Sequence, residues 1–259
     1  MAVRRAHVAQ LKPGLLTLPE PVAHHLVRVL RLADGAAVEL FDTDGRTATA
    51  TLRIDPVTAA VTAEVRDVTE AAAVRAVPTV RIASAVPKGD RADYLVEKLA
   101  ELAVAEWCPL VTARSVVKPD GPSKPARWQR IAQEAARQSG SPRVLRIAPL
   151  TPLADAIAAY APLGAVYGCT RPTSVPVTHL FRQPPSGPSP VCAFIGPEGG
   201  WTDDELARFV AAGVRPLSLG PTVLRVESAA VLAAAALSWV NLTPNDHDGP
   251  GAPPDDTLR

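Results

Sequence analysis

The 259-residue sequence predicts an α/β protein in two parts: a small β-barrel over residues 1–70 and a mostly parallel sheet domain over residues 79–242. Three observations carry this reading. Short segments of alternating polar and apolar residues fill the first part. Strand-like and helix-like segments alternate through the second, the pattern of a parallel sheet. Near the C-terminus, two apolar runs break into glycine-proline loops that lead into helices: Phe194-Ile195-Gly196-Pro197-Glu198-Gly199-Gly200-Trp201, and Leu217-Ser218-Leu219-Gly220-Pro221-Thr222-Val223-Leu224-Arg225-Val226-Glu227-Ser228-Ala229.

In the first part, Ala36–Phe41 and Thr47–Ile54 flank Asp42-Thr43-Asp44-Gly45, a hairpin signal. The alternation continues over Val57–Val68, and one short helix near Pro21–Leu30 interrupts it. An alanine- and valine-rich linker over 71–78 ends at Pro78. Beyond it, strands are expected at Val80–Val86, Trp107–Thr112, Ala165–Cys169, Val191–Ile195 and Pro216–Leu219. Asp90 is placed to cap a helix whose Leu95, Leu99 and Leu102 share a face. Pro125 suits the first turn of a second helix that ends near Gly140 and turns Trp128, Ile131, Ala132 and Ala135 inward. Thr202-Asp203-Asp204-Glu205 reads as a capping box, with Gly213 stopping that helix. The last helix, about Ser228–Val240, is apolar enough to need cover on most sides, by the sheet alone or together with a second subunit. Residues 184–190 read as a flexible loop, and 243–259, rich in Pro, Gly and Asp, as a disordered tail.

Net charge is only +1, but it is unevenly spread. Arg114 to Arg146 also contains Lys118, Lys124, Arg127, Arg130, Arg137 and Arg143 against only Asp120 and Glu134. Such a field suits phosphate contacts, and equally a solvated face. Cys108, Cys169 and Cys192 show no CxxC spacing, which excludes a zinc ribbon and argues against a disulfide framework; no metal is expected. The N-terminus lacks an apolar stretch of signal-peptide type, and the longest apolar run, Ala229–Leu237, is too short to span a bilayer. A cytoplasmic protein is expected.

Chemistry concentrates in the two glycine-proline loops. In an open α/β sheet, ligands bind beyond the carboxyl ends of the strands, and glycine there lets a ligand approach the backbone. Neither the dinucleotide fingerprint nor the phosphate loop is present, so a nucleoside triphosphate or a conventionally bound dinucleotide is disfavoured. Glu198, Arg225 and Glu227 lie within the loops. A guanidinium at Arg225 offers a planar fork that keeps its proton. Each glutamate could instead be a helix N-terminal charge favoured by the dipole.

These loops resemble the signature of the SPOUT methyltransferases, specifically the RsmE family, which methylates N3 of a uridine in small-subunit (16S) ribosomal RNA. Three further segments agree: Lys88-Gly89-Asp90-Arg91 with Leu95 to Leu102, Arg114-Ser115-Val116-Val117-Lys118, and His25-Leu26-Val27-Arg28-Val29-Leu30-Arg31. The resemblance implies a SPOUT-like, trefoil-knotted sheet domain with a PUA-like RNA-binding barrel, a homodimer, and S-adenosyl-L-methionine as cofactor. The cofactor would be held by Gly168, Cys169, Thr170, Ile195, Gly196, Pro197, Glu198, Gly199, Gly200, Leu219, Gly220 and Leu224. Arg225 would steady the charge developing on uracil, with Glu227 accepting the N3 proton or orienting Arg225. Arg4, Arg5, Arg28, Arg31, Arg114, Lys118 and Arg143 would contact RNA, either naked or in the small ribosomal subunit. Thr222 stands where the family commonly has arginine, Val226 and Ser228 where threonines are usual, and Ser141 where another arginine is frequent. Two other readings stay open: the same fold acting on a ribose 2′-oxygen or another base, and a non-catalytic RNA-binding or ribosome-assembly factor.

Overall fold

The computed structural model describes residues 4–42, 45–70, 78–116, 123–170, 174–182 and 191–241. Lys118, most of the 71–78 linker, the 184–190 loop and the 243–259 tail therefore lie outside the described residues.

The N-terminal part is one six-stranded sheet of β1 (Arg5–His7), β2 (Gly14–Thr17), β3 (Ala37–Phe41), β4 (Arg46–Ile54), β5 (Val61–Val65) and β6 (Thr69–Glu70), in the order β1-β3-β4-β5-β2 with β6 paired to β4. The hairpin expected around Asp42 joins β3 to β4, pairing Phe41 with Thr47. Its first corner is held by a fully buried carboxylate: Asp42 accepts from the backbone N–H of Leu11 and of Arg46, and from Arg46 Nε, each at 2.9 Å. A buried charge tolerates that position because it is paired and hydrogen-bonded. Along β4 the period of two sends Ala48, Ala50 and Leu52 into the core. Helix α1 (Glu20–His24) runs into a π-helical turn, His25–Val29, which delivers Leu26 to the same core.

One expectation fails here. Alternation does not begin at Val57, which is 90% exposed. Asp55 Oδ1 accepts from the N–H groups of Val57 and Thr58 at 2.8 Å each, and Ala59 takes a φ of 56°. An Asx turn thus wins over the strand until Val61.

The second sheet contains β7 (Arg81–Ala85), β8 (Glu106–Val111), β9 (Arg146–Ile147), β10 (Thr151–Pro152), β11 (Ala165–Gly168), β12 (Val175–Pro176), β13 (Cys192–Ile195) and β14 (Arg215–Ser218). Its order is β10-β8-β7-β13-β11-β14-β12, with β9 on β8, and every pairing is parallel. Helices α2 (Arg91–Glu101), α3 (Ser123–Ser139) and α7 (Val226–Asn241) share one core with the sheet through Leu95, Leu99, Trp128, Ala132, Ala233 and Leu237. Helices α4 (Leu153–Tyr160) and α6 (Asp203–Ala211) contribute Ala156, Ile157 and Phe209 to another, with Phe194 of the sheet. A short α5 (His179–Arg182) precedes β13.

The capping box at α6 is complete: Thr202 Oγ1 accepts from Glu205 N at 3.3 Å, and Glu205 Oε2 from Thr202 N at 2.8 Å. Asp90, by contrast, occupies the N-cap position of α2 without a side-chain bond. Its αR backbone (φ −69°, ψ −8°) departs from the extended conformation that aims a cap oxygen at the first turn.

At the amino ends of the strands, buried Glu106 meets Arg146, Arg81 at 3.7 Å and the Tyr160 hydroxyl, which donates at 2.6 Å. Burial, then that carboxylate, raises the Tyr160 pKa. Among the described residues, no helix is long and apolar enough to cross a membrane, and no His, Cys, Asp and Glu are grouped to hold a metal ion.

Candidate active site

Strands β13, β11 and β14 are adjacent and parallel, so the loops leaving Ile195, Gly168 and Ser218 emerge side by side at their carboxyl ends. Between these loops lies a cavity of about 370 Å³, within the range of roughly 300–1,000 Å³ common for small-molecule sites. Its walls are Gly168, Cys169 and Thr170 from the first loop, Ile195, Gly196, Pro197, Glu198, Gly199 and Gly200 from the second, and Leu219, Gly220 and Leu224 from the third. The structure thus brings together all of the cofactor residues expected from sequence. It adds Trp201, Leu206, Thr222, Val223, Val226 and Ala229. Val226 and Ala229 were legible as the continuation of Leu224 onto one helix face; Leu206 had no local signal.

Trp201 explains how two of the walls hold together. Its indole Nε1 donates to Gly168 O at 3.0 Å, and its ring packs edge-on against Phe209 with centroids 4.9 Å apart. That ring lies so close under Gly196 that a Cβ there would sit 2.9 Å from Trp201 Cε2. Glycine at 196 is therefore demanded by the tryptophan. The turn itself closes through Gly200 N donating to Pro197 O at 2.8 Å, with Gly200 at φ 68°. At Gly220, a Cβ would meet no atom within 4 Å, so a side chain there would take up cavity space rather than clash.

The described lining has a distinctive charge: among the described residues Glu198 is its single carboxylate, and none is Lys, Arg or His. Such a lining offers a polyphosphate no cationic side chain among the described residues. It fits a ligand that carries a positive charge and reads adenosine through main-chain groups and apolar walls, as S-adenosylmethionine does. Cys169 lines the cavity, Cys108 and Cys192 are buried, and none of the three is in a disulfide.

Arg225 is exposed immediately before α7, and Glu227 is 6% exposed in its first turn; neither lines the cavity. Glu227 Oε1 faces Arg91 Nη1 at 3.8 Å, and its Oε2 has no hydrogen-bond partner among the described residues.

The arginines expected to grip RNA divide. Arg4, Arg28 and Arg31 are exposed on the barrel. Arg5 is turned inward: it pairs with Glu39 at 3.1 Å, lies 4.1 Å from the Phe41 ring centroid and donates to Ser141 O at 2.8 Å, tying the barrel to the end of α3. Arg143 is 8% exposed and donates to Pro78 O at 3.5 Å; burial, then Arg81, lowers its pKa. Both guanidinia make their contacts within the protein, unlike the exposed arginines of the barrel. The basic stretch is also partly neutralised, since Arg127 pairs with Asp93, Arg137 with Glu134 and Arg146 with Glu106. Arg114, although exposed, donates to Gly199 O at 2.6 Å in the cavity's own loop.

Residues 75–238 match the family model of an RNA methyltransferase domain, and residues 18–56 that of an RNA methyltransferase PUA domain. Ribosomal RNA small subunit methyltransferase E of a Synechocystis species is 32% identical over 232 residues, spanning 88% of this chain and 74% of the relative. The Bacillus subtilis protein of that name is also 32% identical, over 83% of this chain and 86% of its own. Among solved structures, the Neisseria gonorrhoeae methyltransferase E bound to S-adenosyl methionine aligns with a TM-score of 0.77 at 26% identity, covering 92% of this chain and 98% of that one. A putative methyltransferase from Legionella pneumophila, in complex with the same cofactor, gives 0.75 at 30% identity over 92% and 97%. Domain match, relatives and fold agree: the chain belongs to the ribosomal RNA small subunit methyltransferase E family of RNA methyltransferases.

Proposed function

We propose that this chain transfers the methyl group of S-adenosyl-L-methionine to N3 of a uridine in small-subunit (16S) ribosomal RNA. The observation that carries the reading is the glycine-walled cavity where β13, β11 and β14 end, in a chain whose barrel belongs to an RNA-methyltransferase PUA family. When bound, S-adenosylmethionine supplies an electrophilic methyl on a sulfonium. Glycine-loop main-chain groups and the Ile195, Leu219 and Leu224 walls orient it, and Glu198 balances its charge. Positioning of this kind provides much of the rate in an in-line displacement.

The base must lose its N3 proton before or as it attacks. Arg225 steadies the resulting charge on the uracil carbonyls, and the unpartnered Oε2 of Glu227 takes up the proton. In sequence both residues flank Val226, which lines the cavity. Arg4, Arg28 and Arg31 hold RNA phosphates on the barrel face.

The reading includes a cytoplasmic homodimer. Helix α7 is buried along most of its length yet leaves Leu232 39% and Trp239 71% exposed, two turns apart on one face. A second copy covers that face, and Trp239→Glu is expected to give monomers in sedimentation equilibrium. The catalytic reading is tested by mapping modified nucleosides in ribosomal RNA from cells lacking the protein. One N3-methyluridine should disappear from the small subunit, and an unchanged map would reject the assignment.

A further inference from the structure

The turn after β8 does something the strand order makes unexpected. Strand β8 is separated from β13 by β7, yet its following turn reaches across to the second cavity loop. The turn is closed on itself: Ser115 Oγ accepts from Thr112 N at 3.0 Å, and Ser115 N donates to Thr112 O at 3.2 Å. Two ties then bind it to the loop. Ala113 N donates to Glu205 Oε1 at 2.8 Å, while the other oxygen of this 6%-exposed carboxylate is engaged in the α6 capping box. Arg114 Nη1 donates to Gly199 O at 2.6 Å and reaches Trp201 O at 3.5 Å. The arginine stem also lies flat on Gly199, where a Cβ would stand 3.2 Å from Arg114 Cδ and 3.3 Å from its Cβ.

We infer that Arg114 is a positioning residue for the cofactor: by holding the carbonyls on both sides of Gly200 it fixes the glycine loop in the shape that forms the cavity wall. The inference rests on the proposal that the cavity takes S-adenosylmethionine. It gives Arg114 a different task from the phosphate contact expected of it. Both bonds leave one nitrogen, Nη1, whose two N–H groups serve the two carbonyls while the rigid guanidinium plane fixes their direction. Gly199 and Gly200 are then both needed for the latch, one to admit the stem and one to turn the chain at φ 68°.

The test is calorimetric titration of the full chain with S-adenosylmethionine, with thermal melting as a check on folding. Wild-type protein that fails to bind would overturn the functional proposal itself. If wild type binds, Arg114→Ala should weaken affinity by roughly tenfold to a hundredfold, the worth of a hydrogen bond from a charged donor, and Arg114→Lys should recover part of it. Gly199→Ala provides a second variant: it should weaken binding in the wild-type background but have little further effect beside Arg114→Ala, because the side chain it crowds is gone. The salt dependence of RNA binding should keep its slope in Arg114→Ala. Unchanged cofactor affinity with a slope reduced by about 0.7 would make Arg114 a phosphate contact and overturn the inference.

Discussion

Gly196→Ala tests how rigidly the two cavity walls are joined. The added Cβ would stand 2.9, 3.2 and 3.3 Å from Trp201 Cε2, Cδ2 and Cζ2. Carbon atoms prefer about 3.5–4.0 Å, so the indole must retreat by roughly half an ångström or more. It has little freedom to do so. Its Nε1 is bonded to Gly168 O at 3.0 Å, and its edge meets Phe209, which itself stacks on Tyr167 with centroids 4.6 Å apart. Overpacking costs about 1–3 kcal/mol, and loss of the indole bond about 0.5–1.5 kcal/mol more. Denaturant unfolding should therefore show a loss of about 1.5–4.5 kcal/mol. Parting the Gly168 and Gly196 walls should also weaken S-adenosylmethionine binding about tenfold or more in calorimetry. Replacing Trp201 by leucine in the Gly196→Ala background should restore part of the stability. A Gly196→Ala protein with wild-type stability and affinity would show that Trp201 is not a fixed strut, and the reasoning would fail.

Gly220→Val should remove cofactor binding, because its side chain meets cavity space rather than protein, and should lower the melting temperature modestly because a side chain is strained at a φ of 159°; calorimetry and thermal melting check both halves. Removing charge at Arg28 and Arg31 together, as glutamines, should flatten the salt dependence of RNA binding by about 0.7 per lost phosphate contact and leave cofactor affinity unchanged. Arg225→Ala should cut single-turnover methyl transfer by roughly a hundredfold or more, with cofactor affinity little altered and Arg225→Lys only partly active. Burial, opposed by Asp42, holds the His7 pKa below its ordinary value. The unfolded chain then takes up the proton first, so stability should fall as pH drops below about 6.5 through the folded value. A His7→Phe variant should show a smaller loss between pH 7 and pH 5 in denaturant titrations.

What could be read from the sequence was what neighbours in sequence decide. The period of two in β4, the capping box at Thr202 and the glycine-proline loops are local chemistry, and each stands where its residues place it. The cavity residues followed because strand ends in a parallel sheet gather on one edge. Local signals also misled where a competing local bond prevailed, as at Asp55 and Val57. Helix α4 is only eight residues long, and its helical period rests on Leu153, Ala156, Ile157 and Tyr160, all buried. The paired residues of β9, β10 and β12 are too short to leave a pattern. Least legible were partners far apart in the chain. Arg5 with Ser141, Trp201 with Gly168 and Arg114 with Gly199 depend on strand order and loop reach, so arginines that look alike in sequence were given one role and divide in space.

In the proposed reaction this cavity presents a methyl group to a uridine of small-subunit ribosomal RNA. The most direct measurement incubates the purified protein with methyl-labelled S-adenosylmethionine and small-subunit ribosomal RNA, free or as assembled subunits, and then digests the RNA to nucleosides for mass spectrometry. Label is expected in N3-methyluridine at one position per molecule, lost when Gly220→Val protein is used. Label on a ribose 2′-oxygen or another base, or no transfer by protein that binds the cofactor, would contradict it.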